Sequence, residues 1–279
     1  MSTVPAPRTA SFVHRGRRLV YDDYGDGDRV VVYLHGLLLD AELNRGIAEA
    51  LTAQGNRVVL LDLLGHGRSD RPTHASEYRI DRYADQVFAL LDELGVERAV
   101  LGGLSLGANV SLFAATQQPD RVRGLVLEMP VMEWAVPAAA LLFVPMLLAA
   151  HYGRPAMSVT SAAARRLPRT PFRPLNSLLN AGSMSPDVMS AILHGVLVGP
   201  VVPTQEQRAG LQVPALVMAH TNDLIHPFSD AVNLAEQLPQ SRLVRARSPL
   251  ELRLRPARLT AEIDDFLRDV WAKGAASPK

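Results

Sequence analysis

The pentapeptide Gly103-Leu-Ser-Leu-Gly107 constrains the fold of this 279-residue chain more than any other stretch. An apolar, strand-like run over residues 98–103 leads into it, and a helical pattern over residues 106–117 follows it. Serine between two glycines at such a junction is typical of a sharp strand-to-helix turn, which holds the serine Oγ at the C-terminal edge of a sheet. Glycine is needed on both sides because a Cβ there would collide with nearby backbone. We therefore predict that Ser105 is a nucleophile.

Strands and helices alternate along most of the remaining chain. Short apolar runs without polar alternation are typical of strands buried on both faces, and their alternation with helical patterns predicts an α/β fold with a mostly parallel sheet. Residues 1–10 are expected to be a disordered lead, and residues 272–279 a frayed tail. The strand-like runs are 12–24 (two strands), 29–35, 57–62, 98–103, 122–129, 214–220 and 241–245, and the helical patterns between them are 40–53, 80–94, 106–117, 228–238 and 256–271.

The alternation stops between Pro130 and about Gln212, where only helix-like segments occur. The simplest organisation is one sheet domain formed by residues 11–130 and 213–272, interrupted by a helical cap over residues 131–212. We expect this cap to lie over the C-terminal edge of the strands, where sheets of this kind bind ligands.

The cap begins with an unusually apolar stretch over residues 134–150, which contains Pro137 and Pro145. A membrane-spanning helix needs about 20 residues, so we predict no transmembrane segment. Two hypotheses remain for this stretch. It is either a buried cap helix, or a hydrophobic lid that lines an apolar pocket or touches lipid.

Composition excludes several kinds of function. The net charge of +1 gives no electrostatic argument for nucleic acid as a partner, and the absence of cysteine excludes disulfides and thiolate metal sites. We predict no metal and no cofactor, and a small apolar molecule as substrate or ligand. The polar N-terminal residues lack the apolar core of a signal peptide, so a cytoplasmic protein is expected. The sequence leaves a homo-oligomer open.

Four stretches together resemble the α/β-hydrolase family: His35-Gly36, residues 62–70, the pentapeptide around Ser105, and residues 222–227. The resemblance implies an eight-stranded, mostly parallel sheet with helices on both faces and a helical cap inserted after strand 6. It also implies an oxyanion hole formed by the backbone N–H groups of Leu37, after His35-Gly36, and of Leu106. Family members that remove halide or open epoxides use an aspartate at the nucleophile position, so a serine indicates acyl transfer.

The family's chain order is serine, acid, histidine, and this chain departs from it at the last position. Asp223 fits the acid because it follows a strand and precedes a helix. The loop 247–256, where the histidine is expected, contains none, and Pro249 stands at about its position. His226 is the best substitute, although an acid and a base three residues apart do not obviously both align behind Ser105. The remaining candidates are His194 and His151 in the cap as bases, and Glu128 and Glu133 as acids.

Three hypotheses follow from the missing histidine: a relocated base, weakened catalysis, or a protein that only binds ligand. We expect a cofactor-free serine hydrolase of the esterase, lipase or thioesterase kind, acting on a small apolar ester, thioester or lactone. The alternative is a catalytically impaired protein that binds an apolar small molecule. The expected catalytic residues are Ser105, Asp223 and His226, and the expected oxyanion and substrate-binding residues are His35, Gly36, Leu37 and Leu106.

Overall fold

Eight strands form a single sheet in the computed structural model, which describes residues 6–221, 223 and 225–275. Five of them are short, apolar runs buried on both faces, as parallel strands covered by helices must be. The strands are β1 (Arg8–His14), β2 (Arg17–Tyr24), β3 (Val30–Leu34), β4 (Arg57–Asp62), β5 (Ala99–Leu104), β6 (Val122–Glu128), β7 (Ala215–His220) and β8 (Ser241–Ala246).

The order of the strands across the sheet is β1-β2-β4-β3-β5-β6-β7-β8. β1 pairs with β2, and β2 with β4, in antiparallel fashion, whereas all other neighbours are parallel. The predicted eight-stranded, mostly parallel sheet is therefore confirmed. β5 lies in the middle of the parallel region, so its C-terminal end opens at the centre of one sheet edge.

Helices cover both faces of the sheet. Successive side chains of a strand point to opposite faces, and accordingly Val32 belongs to one apolar core and Tyr33 to the other. Helices α2, α3 and α9 pack on the first face, and α1 and α11 on the second. The helices are α1 (Arg45–Thr52), α2 (Ile80–Glu93), α3 (Leu106–Gln117), α4 (Val136–Tyr152), α5 (Arg154–Arg166), α6 (Arg173–Gly182), α7 (Pro186–Val198), α8 (Gln205–Ala209), α9 (Phe228–Gln237), α10 (Glu251–Leu254) and α11 (Ala257–Ala275).

Helices α4 to α8 lie between β6 and β7 in the chain and form the block that the sequence assigns to the cap. Asn109 on α3 holds both ends of this block: its Nδ2 donates to the carbonyl oxygens of Val131 and Val201, at 2.7 and 2.8 Å. Asn180 on α6 donates to Asp40 Oδ2 at 2.6 Å, which fastens the middle of the block to the sheet domain. These bonds hold helices α4 to α8 at the C-terminal ends of the strands.

The apolar helix α4 is separated from α5 by a bend of 102°. Among the described residues, a membrane span is not found in any single helix, and only α4 and α5 taken together reach the necessary length and apolar character.

The predictions for the two ends of the described chain were wrong in part. β1 begins at Arg8, inside the expected disordered lead, because it pairs with β2 in register and Arg8 contacts Asp23 at 2.6 Å. α11 continues to Ala275, so the helix includes the first residues of the expected frayed tail, whereas residues 276–279 lie outside the described residues. The short helices α8 and α10 were not predicted, and α10 occupies the loop after β8 where the family's histidine is expected.

Candidate active site

Ser105 stands alone between the last residue of β5 and the first of α3. Its φ of 51° and ψ of −108° are strained for a residue with a side chain. Both flanking glycines are sterically required: a Cβ on Gly103 would lie 2.5 Å, and one on Gly107 2.6 Å, from the carbonyl oxygen of Leu34. The crowding between β5, α3 and β3 therefore sets the turn that aims the serine away from the sheet.

The structure brings Ser105, His226 and Asp223 into one chain of hydrogen bonds. His226 Nε2 lies 2.9 Å from Ser105 Oγ, and His226 Nδ1 lies 3.1 Å from Asp223 Oδ2. An ionised carboxylate only accepts hydrogen bonds, so Nδ1 carries a proton, and Nε2 of the neutral ring is left to accept from the serine hydroxyl. This is the arrangement of nucleophile, base and orienting acid that acyl transfer requires.

A tight turn explains how Asp223 and His226, only three residues apart, both align with Ser105. Asp223 Oδ1 accepts the backbone N–H groups of Ile225, at 2.8 Å, and of His226, at 3.0 Å. The chain folds back on the carboxylate, and the imidazole of His226 then reaches the second oxygen of the same group. The imidazole that contacts Ser105 therefore comes from the segment between β7 and α9 and not from the segment after β8.

The surroundings of Asp223 keep its carboxyl ionised. Burial by itself would raise the pKa, but the hydrogen bond and charge of His226 and the two backbone donors outweigh it and lower the pKa to about 2. The carboxylate is therefore charged at every pH at which the protein would normally be assayed, which fixes the tautomer of His226.

The loop after β3 brings Gly36 and Leu37 to the wall of the cavity above Ser105. Leu106 lines the same cavity and begins α3, so its N–H has no acceptor inside the helix. His35, by contrast, is fully buried beneath the loop: its Nε2 accepts from the N–H of Leu63 at 3.1 Å. The expected substrate-binding role of His35 is not what the geometry favours, because its ring supports the loop from below and is absent from the lining.

His66 supports the same loop. Its Nε2 accepts from the N–H of Leu38 at 3.1 Å, and its ring packs against that of His35 with centroids 4.8 Å apart. Burial lowers the pKa of His35 and lowers that of His66 further, so both rings stay neutral. Two neutral histidines thus hold the backbone that carries Leu37.

The other candidate bases and acids do not reach Ser105. His194 is exposed on α7, and His151 is exposed on α4, where its ring packs against Tyr152. His220 is buried as the last residue of β7. Glu133 is exposed and pairs with Arg208 at 2.8 Å. Of the histidines considered, the structure places only His226 at the serine.

Glu128, at the end of β6, belongs to a buried ion pair that the sequence did not reveal. Its Oε1 contacts Arg253 Nη1, and its Oε2 accepts from the hydroxyl of Tyr33 at 2.8 Å. Arg253 also donates from Nη2 to Asn44 Oδ1 at 2.8 Å. Burial by itself would lower the pKa of Arg253, but the negative charge of Glu128 outweighs this effect and raises it. Arg253 lies on α10, four residues after Pro249, so the segment that lacks the expected histidine is anchored by an arginine.

A cavity of about 600 Å³ lies over Ser105, between the cap and the sheet domain. Leucine, valine, alanine, phenylalanine and methionine side chains make up most of its wall, and the polar groups are concentrated near Ser105. Pro249 and Leu250 contribute to the wall, which is where the loop after β8 meets the cavity. Within the described ranges, no group of three or more histidine, aspartate or glutamate residues could hold a metal ion.

Comparison with known proteins identifies the family and the fold. The sequence profile of the family described as "alpha/beta hydrolase fold" matches residues 29–248, more than half of the chain. The chain belongs to the α/β-hydrolase family. Its fold matches that of the enol-lactonase from Burkholderia xenovorans LB400 with a TM-score of 0.74, covering 93% of this chain and all of that one at 22% identity.

Two characterised sequences show which α/β-hydrolases resemble part of this chain. A haloalkane dehalogenase of Mycolicibacterium paratuberculosis is 37% identical over 115 residues, which is 40% of this chain and 38% of that protein. A 2-hydroxy-6-oxononadienedioate/2-hydroxy-6-oxononatrienedioate hydrolase of Paraburkholderia xenovorans is 40% identical over 114 residues, 39% of each chain. The matched stretches span about two-fifths of these relatives' own length.

Proposed function

We propose that this protein is a cofactor-free serine hydrolase that cleaves an apolar ester, thioester or lactone. The observation that carries the proposal is the 2.9 Å contact between Ser105 Oγ and His226 Nε2, continued by the 3.1 Å contact between His226 Nδ1 and Asp223. A serine hydroxyl is a weak nucleophile at neutral pH and needs such a base within hydrogen-bond reach.

In the acylation step, Ser105 Oγ attacks the carbonyl carbon of the substrate while His226 Nε2 takes the hydroxyl proton. The carbonyl oxygen gains the negative charge, and the N–H groups of Leu37 and Leu106 are the donors proposed to receive it. Such backbone donors are each worth roughly 3–4 kcal/mol of transition-state stabilisation. When the tetrahedral intermediate collapses, the bond to the leaving oxygen or sulfur breaks and His226 returns its proton to that atom.

In the deacylation step, water attacks the acyl-enzyme carbonyl and gives a proton to His226. The ester bond to Ser105 then breaks, the serine recovers the proton, and a carboxylic acid is released. Asp223 stays ionised throughout, because its pKa of about 2 prevents proton transfer to it from His226. Its role is to orient the ring and stabilise the imidazolium.

Two alternatives are weaker. A protein that only binds an apolar ligand has no need of an imidazole at the serine, and the 2.9 Å contact of His226 with Ser105 weakens the argument from the missing histidine. Halide removal, as in the dehalogenase that matches part of the chain, is disfavoured by a serine at position 105. The cavity lining favours an acyl chain over a polar substrate.

Hydrolysis of p-nitrophenyl esters of increasing chain length tests the proposal. We expect the wild-type protein to release p-nitrophenol with a preference for medium over acetyl chains, since the wall of the cavity is apolar. His226→Ala should lower kcat on the order of 10⁶-fold, as expected when a triad histidine is removed. His194→Ala is the matched control, because this histidine is exposed on the cap and contributes nothing to the site.

Equal activities of the His226→Ala and wild-type proteins would exclude His226 as the base. A wild-type protein that is folded but inactive on every ester and thioester tested would contradict the proposed function as a whole.

A further inference from the structure

We propose that the cap docks on an anionic lipid surface, with the mouth of the cavity facing the lipid from which an acyl-chain substrate enters. The evidence for docking is the surface of the cap and does not depend on catalysis. Only the statement that the substrate comes from the lipid rests on the proposed function.

The first observation is a concentration of exposed apolar side chains on the cap. On α4, Leu141 is 80% and Tyr152 78% exposed, and on α5 Val159 is 70% exposed. Apart from these three, the large exposed apolar residues between 134 and 178 are Trp134, Val136, Leu142, Val144, Leu148, Leu167, Phe172, Leu175 and Leu178. Such a concentration of exposed apolar side chains is typical of an interaction site.

The second observation is the charge of the same block. Helices α4 to α8, residues 136–209, contain six arginines, one aspartate, one glutamate and no lysine, whereas the whole chain has a net charge of only +1. The block therefore carries +4 and the rest of the chain −3. Arg154 pairs with Asp187 and Arg173 with Glu49, and Arg165 and Arg169 line a cleft that also contains Asp40 and Glu42. Arg166 is exposed and has no carboxylate partner among the described residues.

The third observation connects this surface to the cavity. Several residues that line the cavity are also exposed, so they mark its mouth: Val136, Val144, Phe172, Leu175, Leu178 and Leu250. The mouth lies between α4, α6 and the segment before α10, and α4 contributes both to the mouth and to the exposed apolar surface. Its rim is apolar on each of these sides.

Exposed apolar side chains together with a net positive charge fit a bilayer that contains anionic lipid. Apolar groups insert at the boundary of headgroups and acyl chains, and each arginine near the surface strengthens binding about fivefold. The exposed leucine, valine and phenylalanine side chains at the mouth are unfavourable in water, so their transfer into lipid lowers the free energy. A lipid surface also supplies acyl chains directly to such an opening.

Flotation with vesicles tests the proposal on the full-length protein. We expect binding to vesicles of phosphatidylcholine with about one-third phosphatidylglycerol, weaker binding to pure phosphatidylcholine, and a loss of the difference at high salt, which screens the charges. The Ser105→Ala protein should bind as well as the wild type, so that docking is measured without catalysis.

Matched variants locate the surface. Val159→Glu and Leu141→Glu should each weaken binding roughly tenfold or more, because each removes an inserted side chain and adds a negative charge. Val13→Glu is the control for Val159→Glu, since Val13 is 71% exposed on β1 at the edge of the sheet. Arg166→Glu should weaken binding by at least about fivefold, and Arg98→Glu, at the N-terminal end of β5 and opposite the site, should not.

No vesicle binding, or equal effects of the cap and control variants, would overturn the proposal. Dimerisation in the absence of lipid that is abolished by Leu141→Glu would overturn it too, by assigning the surface to a second copy. Binding by a protein that hydrolyses no ester would refute the proposed function and leave the docking intact.

Discussion

At the scale of single residues, one turn of chain brings a carboxylate and an imidazole together beside Ser105. Asp223 accepts two backbone N–H groups with one oxygen and the imidazole N–H of His226 with the other, so the two side chains form one local unit. The sequence indicated Ser105 and Asp223 by position, but it gave His226 only as the best of several histidines. Whether two groups three residues apart can share a site depends on backbone geometry, which residue spacing does not specify.

Replacing Asp223 by asparagine tests its role as the orienting acid. We expect kcat to fall on the order of 10⁴-fold, because the amide favours the wrong tautomer of His226 and cannot stabilise the imidazolium. KM for the same ester should change little, since the apolar wall of the cavity stays intact. A loss of less than tenfold in kcat would show that the carboxylate is dispensable.

The pKa of Asp223 also predicts how stability depends on pH. Its folded-state pKa of about 2 is below the ordinary 3.8, so the ionised carboxylate stabilises the folded state above pH 3.8, and this contribution is lost as the pH falls towards 2. Compared with Asp223→Asn, the wild type should have a free energy of unfolding about 1 kcal/mol larger at pH 6, because solvent screens part of the interaction of this partly buried carboxylate. Urea unfolding at several pH values checks this, and a difference that does not shrink below pH 4 would contradict it.

At the scale of elements, the continuous apolar strands were predictable, because burial on both faces leaves no other pattern. The helices α2 and α3 were predicted to within a residue, because a glycine or a proline lies just after the C-terminal end of each. α10 was missed because its four residues are held by the ion pair between Arg253 and Glu128, which are 125 positions apart. No local pattern reports such a contact.

The sharp turn between β5 and α3 is predicted to tolerate no larger residue at Gly107. In Gly107→Ala the new Cβ would lie 2.6 Å from the carbonyl oxygen of Leu34. The free energy of unfolding, measured in urea, should therefore fall by about 1–3 kcal/mol. Gly46→Ala on α1 is the matched control, because its nearest neighbour would be the flexible Arg173 side chain at 3.9 Å. Equal stability of the two variants would show that the turn can adjust to the added methyl group.

The ion pair between Glu128 and Arg253 is predicted to couple α10 to the sheet. Arg253→Met alone should cost about 3–5 kcal/mol of unfolding free energy, because it leaves a buried carboxylate without its partner. Adding Glu128→Leu should recover much of that loss, so the two effects should be far from additive. Additive losses in a double-mutant cycle would mean that the two side chains do not interact.

At the scale of the whole molecule, the alternation of strands and helices and the helical insertion were both visible in the sequence. The placement of the cavity was expected from where parallel sheets bind ligands. The exposed apolar surface of the cap was not, because an apolar helix has the same composition whether it faces the core or the outside. The sequence left that choice open for residues 134–150, and the structure shows α4 contributing to both the cavity wall and the surface.

The central claim is that His226 activates Ser105, and covalent labelling by a fluorophosphonate tests it most directly, because the probe needs no knowledge of the substrate. We predict rapid labelling of the wild type and His194→Ala proteins, with the adduct on Ser105, and none in Ser105→Ala or His226→Ala. Labelling of His226→Ala at the wild-type rate would contradict the claim, and so would the absence of labelling in folded wild-type protein.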